Sequence, residues 1–255
     1  MMIVAWLGAL AIGISLGLLG SGGSILTVPI LVYLVGQPDK VAIASSLAIV
    51  GSISLIGAVP FALSRRIDWR SVLFFGLPGM AGSVAGAFLS RFVSGTFQLL
   101  LFAAIILLAA IFMFRPQKQE ADSAHTPHAL WKIGLEGLVV GTITGLVGVG
   151  GGFLIVPALA LLGGLPMHIA IGTSLLIIAL KSFAGFFEYL NVLTELNLTM
   201  DWTVIVIFIG LGVVGSFLGD RLGRNMPQVL LKQVFAGFLL VMGAYIVYQN
   251  APKIL

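Results

Sequence analysis

Eight apolar stretches fill most of the chain, at about 3–34, 41–63, 71–90, 97–114, 130–163, 168–190, 202–219 and 228–248. Most are close to the ~20 residues that a helix needs to cross ~30 Å of hydrocarbon. With 59% hydrophobic and only 9% charged residues among 255, one soluble core has too little polar covering to hide this surface. The chain therefore reads as an all-α, polytopic bundle of transmembrane helices, multi-pass in the cell (inner) membrane. Met1 to Ala5 carry no Lys or Arg and the apolar run continues past any cleavage point, so no cleaved signal peptide is expected.

The bundle is written twice. GLLGSGGSILTVPI at residues 17–30 returns as GLVGVGGGFLIVPA at 145–158, and residues 13–47 align with 141–175 without a gap at an offset of 128, with 17 of 35 positions identical. Further on the offset becomes 133, where Gly79, Gly82, Ser83, Gly86 and Leu89 face Gly212, Gly215, Ser216, Gly219 and Leu222. The expected organisation is a first repeat over 1–114, a polar linker over 115–129 and a second repeat over 130–255. Each repeat opens with a Gly-broken, re-entrant-like helix, 3–34 or 130–163, followed by three plain ones. Small residues four apart, as in Gly13/Gly17, Gly82/Gly86, Gly141/Gly145 and Gly215/Gly219/Gly223, allow close helix approach.

Charge placement bears on orientation, because cytoplasmic loops carry the excess of Lys and Arg. If all eight segments cross once, the two sides hold seven and five basic residues. If each broken element turns at its glycines and leaves on its side of entry, nine (Arg65, Arg66, Arg70, Arg115, Lys118, Lys132, Arg221, Arg224, Lys232) oppose three (Lys40, Arg91, Lys253). The second count favours inverted repeats, with both termini outside and the linker in the cytoplasm. The arm 3–20 is by itself ~27 Å long at ~1.5 Å per residue, so full crossing stays open.

Several function classes are excluded or weakened. The net charge of +4 sits in loops where topology demands it, so nucleic acid is not an expected partner. Zero cysteines and three histidines, His125, His128 and His168, leave no thiol chemistry and no expected metal or other cofactor. Neither glycine cluster continues into the Lys-Ser/Thr of a phosphate-binding loop, so ATP is not the direct energy source. An intramembrane hydrolase built on Ser21 lacks a base within reach, and no enzyme activity is expected.

What remains is transport. Paired Gly-broken segments at equivalent places are the best sequence pointer to a transporter's substrate site. The candidates for binding are therefore Gly20, Ser21, Gly22, Gly23 and Ser24 in the first half and Gly148, Gly150, Gly151 and Gly152 in the second, where helix N-termini suit an anion. Lys181 lies deep in segment 168–190, and an intramembrane charge defaults to a functional hypothesis. Its repeat counterpart is Ile53, and its expected partner is a substrate anion, with Glu188 as the structural alternative. Ser45, Ser46, Thr173 and Ser174 begin the next helix of each half and offer neutral donors. Glu188 is the coupling candidate, for a proton, while Glu195 and Asp201 read as solvated loop residues. Trp6, Trp69, Trp131 and Trp202 read as interfacial anchors. An anion channel, or a transporter of a different small organic anion, is the alternative reading, with an intramembrane hydrolase more remote, and small-residue faces allow a homodimer.

The doubled GxGG break, with Pro29 and Pro157 six residues on and Pro38 and Pro166 in the following turns, resembles the TauE/SafE sulfite exporter family. The resemblance spans nearly the full length. It implies a multi-pass permease or exporter of small sulfur oxyanions or organosulfonates, and places weight on Gly20, Gly22, Gly23, Pro29, Gly148, Gly150, Gly151 and Pro157. Ser24 faces Gly152 and Ser21 faces Val149 across the repeat, so the Ser21 hydroxyl is not a symmetric requirement.

Overall fold

The computed structural model describes residues 2–19, 23–114, 130–149, 155, 159, 165–223 and 228–250. Among these there is no strand. The helices are α1 (Met2–Leu19), α2 (Ser24–Pro29, continued as a wider π turn over Ile30–Val35), α3 (Asp39–Leu63), α4 (Trp69–Phe92), α5 (Gly95–Phe114), α6 (Leu130–Val147), α7 (Met167–Glu195), α8 (Trp202–Gly223) and α9 (Gln228–Asn250). In α4 the stretch Val72–Gly76 is π-helical. Pro78 lies just beyond it, and its ring disfavours an ordinary turn at the carbonyl of Phe74.

Four helices of the described residues are long and apolar enough to cross a membrane, namely Asp39–Leu63, Trp69–Phe92, Ile169–Glu195 and Trp202–Leu222, with shorter apolar helices at Ala5–Leu18, Ser24–Val35 and Gly95–Leu108. Eight such segments were expected from hydropathy. The other apolar stretches are shorter helices, or lie partly outside the described residues.

Glycine faces set the packing. A Cβ at Gly13 or Gly17 of α1 would collide with the Gly212 or Ser216 carbonyl of α8, and one at Gly215 or Gly219 with the Leu10 or Ile14 carbonyl of α1. The same arrangement joins α4 to α6: Gly82 and Gly86 meet the carbonyls of Leu138 and Thr142, and Gly141 and Gly145 meet those of Gly79 and Ser83. Both pairs run parallel, and both join one repeat to the other. Without Cβ atoms the backbones approach far enough for dispersion and Cα–H···O contacts, which hold helices together where lipid provides no hydrophobic drive.

Between these two pairs lie α3 and α7, the repeat-equivalent long helices. Gly51 sits by Ser182 and Phe183, Gly57 by Leu175, and Gly172 by Phe61 and the Arg66 carbonyl, so α3 and α7 run antiparallel. The apolar window of α3 is 78% buried against 33% for α8, which makes α3 central and α8 peripheral. The apolar residues left outside, such as Leu7, Leu73, Val206 and Val241, form a lipid-facing coat. Trp6, Trp69, Trp131 and Trp202 are all exposed near helix ends.

Side-chain bridges identify the two ends of the bundle. At one end the Thr173 hydroxyl accepts from the Asp68 N–H at 2.9 Å, joining the start of α7 to the loop after α3; α5 stops and α6 starts at this end. At the opposite end Lys40 donates to the Ser90 and Val93 carbonyls, at 2.5 and 2.8 Å, and Asn250 donates to the Tyr33 hydroxyl at 2.5 Å. In the first broken element α2 returns along α1: Gly23 packs on Ile12 and Leu16, and Gly8 on Ile30.

Candidate functional site

Lys181 is fourteen residues from either end of α7 and only 1% exposed. Its stem runs past Gly79 of α4, where a Cβ would stand 3.0 Å from Cδ. Its Nζ donates to Thr144 Oγ1 of α6 at 3.0 Å. An ammonium has three donors, and Thr144 is the only acceptor found among the described residues. Glu188, seven residues on, is turned to other work: it accepts from Arg91 at 3.0 Å and from Asn191 at 3.1 Å. Arg91 also holds Glu195 at 3.1 Å, and its guanidinium lies 4.0 Å over the Phe88 ring. Asp201 accepts from the Thr203 and Val204 N–H groups at the start of α8.

The lysine breaks an otherwise symmetric site. Gly212 meets Ile53 just as Gly79 meets Lys181, and at an offset of 128 Leu16 stands for Thr144. In the first half the place is apolar and opens into a cavity between α1, α3, α7 and α8, lined by Ile53, Gly57, Phe61, Leu175, Ser216 and Asp220 among others. This cavity lies in the linker half of the bundle.

The second glycine-rich stretch begins where α6 ends. Gly148 has φ +74, the left-handed region that ends helices and favours glycine; a Cβ there would also strike Ile43. The Gly148 and Val149 N–H groups both return to the Thr144 carbonyl, at 2.9 and 3.2 Å. Two carbonyls at this terminus, where a helix leaves orphan acceptors, are satisfied from three other helices. Ser46 of α3 donates to the Gly148 carbonyl at 2.9 Å, while Gln98 of α5 and Tyr189 of α7 donate to the Leu146 carbonyl at 2.5 and 2.9 Å. Gln98 also bonds the Tyr189 hydroxyl at 2.8 Å.

Of the residues singled out in the sequence, Ser46 and Gly148 meet where α6 ends, and Lys181 bonds Thr144, four residues earlier in α6. Ser46 precedes by six residues the level of α3 that faces Lys181, or ~9 Å at ~1.5 Å per residue, so the end of α6 lies off the middle of the bundle. Ser45 is buried with no partner for its hydroxyl among the described residues. Ser174 bonds its own helix at the Ile171 carbonyl, 2.8 Å, and Thr173 serves the loop at Asp68. Gly23 packs on α1 and Ser24 opens α2, fully buried. Gly20, Ser21, Gly22, Gly150, Gly151 and Gly152 lie outside the described residues.

Thr144, Gln98 and Tyr189 escaped the sequence reading. Gln98 carried a signal, a lone amide at the start of an apolar segment; Thr144 and Tyr189 gain meaning only from the helices packed on them.

Known proteins resemble this chain over most of its length. A probable membrane transporter protein of Xylella fastidiosa (strain Temecula1) is 32% identical over 249 residues, covering 94% of this chain and 92% of the relative. The probable membrane transporter protein YunE of Bacillus subtilis is 27% identical over 257 residues, covering 91% and 92%. A relative of the same description from Methanocaldococcus jannaschii is 28% identical over 248 residues, covering 92% of each. No solved structure matches the chain. The model of the sulfite exporter TauE/SafE family matches residues 5–246, and the chain belongs to that family.

Proposed function

We propose that this membrane protein is a secondary transporter of small anions, sulfite or an organosulfonate, working by alternating access around Lys181. One observation carries the reading: a fully buried lysine at the midpoint of a spanning helix, with a hydroxyl as its partner and no carboxylate beside it among the described residues. A charge so placed costs at least ~2.5 kcal/mol, and an anionic substrate offsets that cost in passage.

Inverted repeats fit the helix directions. The repeat-equivalent helices α3 and α7 run antiparallel, and the parallel pair α1 and α8 is mirrored by α6 and α4. With the linker end in the cytoplasm, the nine-to-three division of basic residues obeys the positive-inside rule. The cavity beside Ile53 then faces inward, and the outer end is closed by Arg91 with Glu188 and Glu195 and by Lys40 on the end of α4. Because the glycine seams join opposite repeats, and Gly212 of α8 meets Ile53 of α3 while Gly79 of α4 meets Lys181 of α7, the bodies that move are α1–α8 with α3 and α4–α6 with α7, parting along the α3–α7 seam, not one repeat against the other. Glu188 is thereby a gate residue before it is a proton carrier.

The test is uptake and efflux of radiolabelled sulfite and sulfoacetate in proteoliposomes, with wild type, Lys181→Ala and Lys181→Arg. Saturable flux that falls at least tenfold in Lys181→Ala and is partly retained in Lys181→Arg supports the site. Wild-type flux of neither anion refutes the substrate, and flux indifferent to Lys181 refutes the site. Conductance without saturation assigns a channel instead.

A further inference from the structure

Ser54 and Ser182 are related by the same offset of 128 that relates Ile53 to Lys181. The neighbouring residue diverged between the halves, and the serine did not. Both side chains are buried, at 0% and 1% exposure, and neither hydroxyl has a hydrogen-bond partner among the described residues. A helical Ser or Thr has an easy local partner in the carbonyl three or four residues back. Thr142, Ser174, Thr194 and Ser216 all take it. The Ser54 and Ser182 hydroxyls do not make this bond although both are buried, where an unmet hydroxyl is costly.

Their place explains what they would meet. Ser182 Cβ stands 3.3 Å from where a Gly51 Cβ would be, so Ser182 faces α3 across the seam between the two central helices. Ser54 is the corresponding residue of α3, at the same seam by the repeat relation. Lys181 is the next residue to Ser182, about 100° round the helix. The centre of the bundle thus holds one ammonium and two hydroxyls with free donor capacity.

We propose that Ser54 and Ser182 are substrate ligands that act with Lys181, and that the three donors together select a three-oxygen sulfur oxyanion over a planar carboxylate. This rests on the anion-transport reading above. Neutral hydroxyls suit a carrier, since they recognise the oxygens without adding a charge that would hold the anion in place. The seam is closed in this structure. It receives the anion when the α1–α8 and α4–α6 pairs move apart.

The experiment uses the full-length protein and sulfoacetate as probe. Ser54→Ala and Ser182→Ala are each expected to raise the KM for sulfoacetate about tenfold, the scale of one hydrogen bond to a charged group. Their thermal unfolding midpoints should be unchanged or higher, because each removes an unsatisfied polar group. The excess of sulfoacetate over malonate flux should shrink in both. The wild-type chain has no cysteine, so Ser54→Cys or Ser182→Cys introduces the sole thiol; each should react with a methanethiosulfonate reagent, more slowly when sulfoacetate is present. Unchanged KM in both alanine variants, or thiols that react at the same rate with and without sulfoacetate, overturns the proposal while leaving a Lys181-dependent carrier intact. Absence of sulfoacetate flux in the wild type overturns both readings together.

Discussion

The Lys181 ammonium occupies the place that a methyl of Ile53 takes in the other half, against the equivalent glycine. Two sites of one ancestral shape thus differ by one charge and one hydroxyl, Lys181 with Thr144 against Ile53 with Leu16. The first half shows that the fold accepts the apolar version. The double variant Lys181→Ile, Thr144→Leu is therefore expected to fold and to gain at least ~2.5 kcal/mol from losing the buried lysine, while abolishing anion flux. A lowered thermal midpoint for that variant would mean that the lysine is structural. The depth of Lys181 was legible in the sequence, as was its lack of a counterpart. Its hydroxyl partner was not legible, because Thr144 is 37 residues away and ordinary in its local context.

At the scale of helices, the glycines four apart serve as seams. They lie along the α1–α8 and α4–α6 lines, where a Cβ meets backbone that cannot yield, whereas Gly210 has nothing within 4 Å of its would-be Cβ. Gly141→Val should therefore force α6 from α4 and cost several kcal/mol, more than the ~1–3 kcal/mol of ordinary overpacking. Gly210→Ala should be neutral or stabilising by up to ~1 kcal/mol through helix propensity. Thermal midpoint and the monodisperse fraction on gel filtration measure both. Equal behaviour of the two variants would refute the seam. The spacing of these glycines was readable in the sequence, but the partner of each face was not, since identical spacing marks four helices.

For the whole molecule, the pairings interleave the repeats: α1 with α8, α4 with α6, α3 with α7. A duplicated chain folded this way is one body, and its moving parts need not follow the duplication. The orientation proposed for it predicts labelling by a membrane-impermeant maleimide in the cysteine-free chain. Asn197→Cys should react in intact cells and Ser64→Cys only after the inner face is exposed; the reverse pattern would invert the topology. An all-helical membrane protein was determined by the sequence itself, because hydropathy over ~20 residues is a local property that the bilayer reads directly. The duplication was equally plain, being a matter of identity at a fixed offset. What only the tertiary structure decided is which polar groups meet: Ser46, Gln98 and Tyr189 closing the end of α6, Thr144 on Lys181, and Arg91 drawing Glu188 away from it. Those contacts join residues 37 to 102 positions apart, and their geometry follows from helix packing, which residue order alone does not contain.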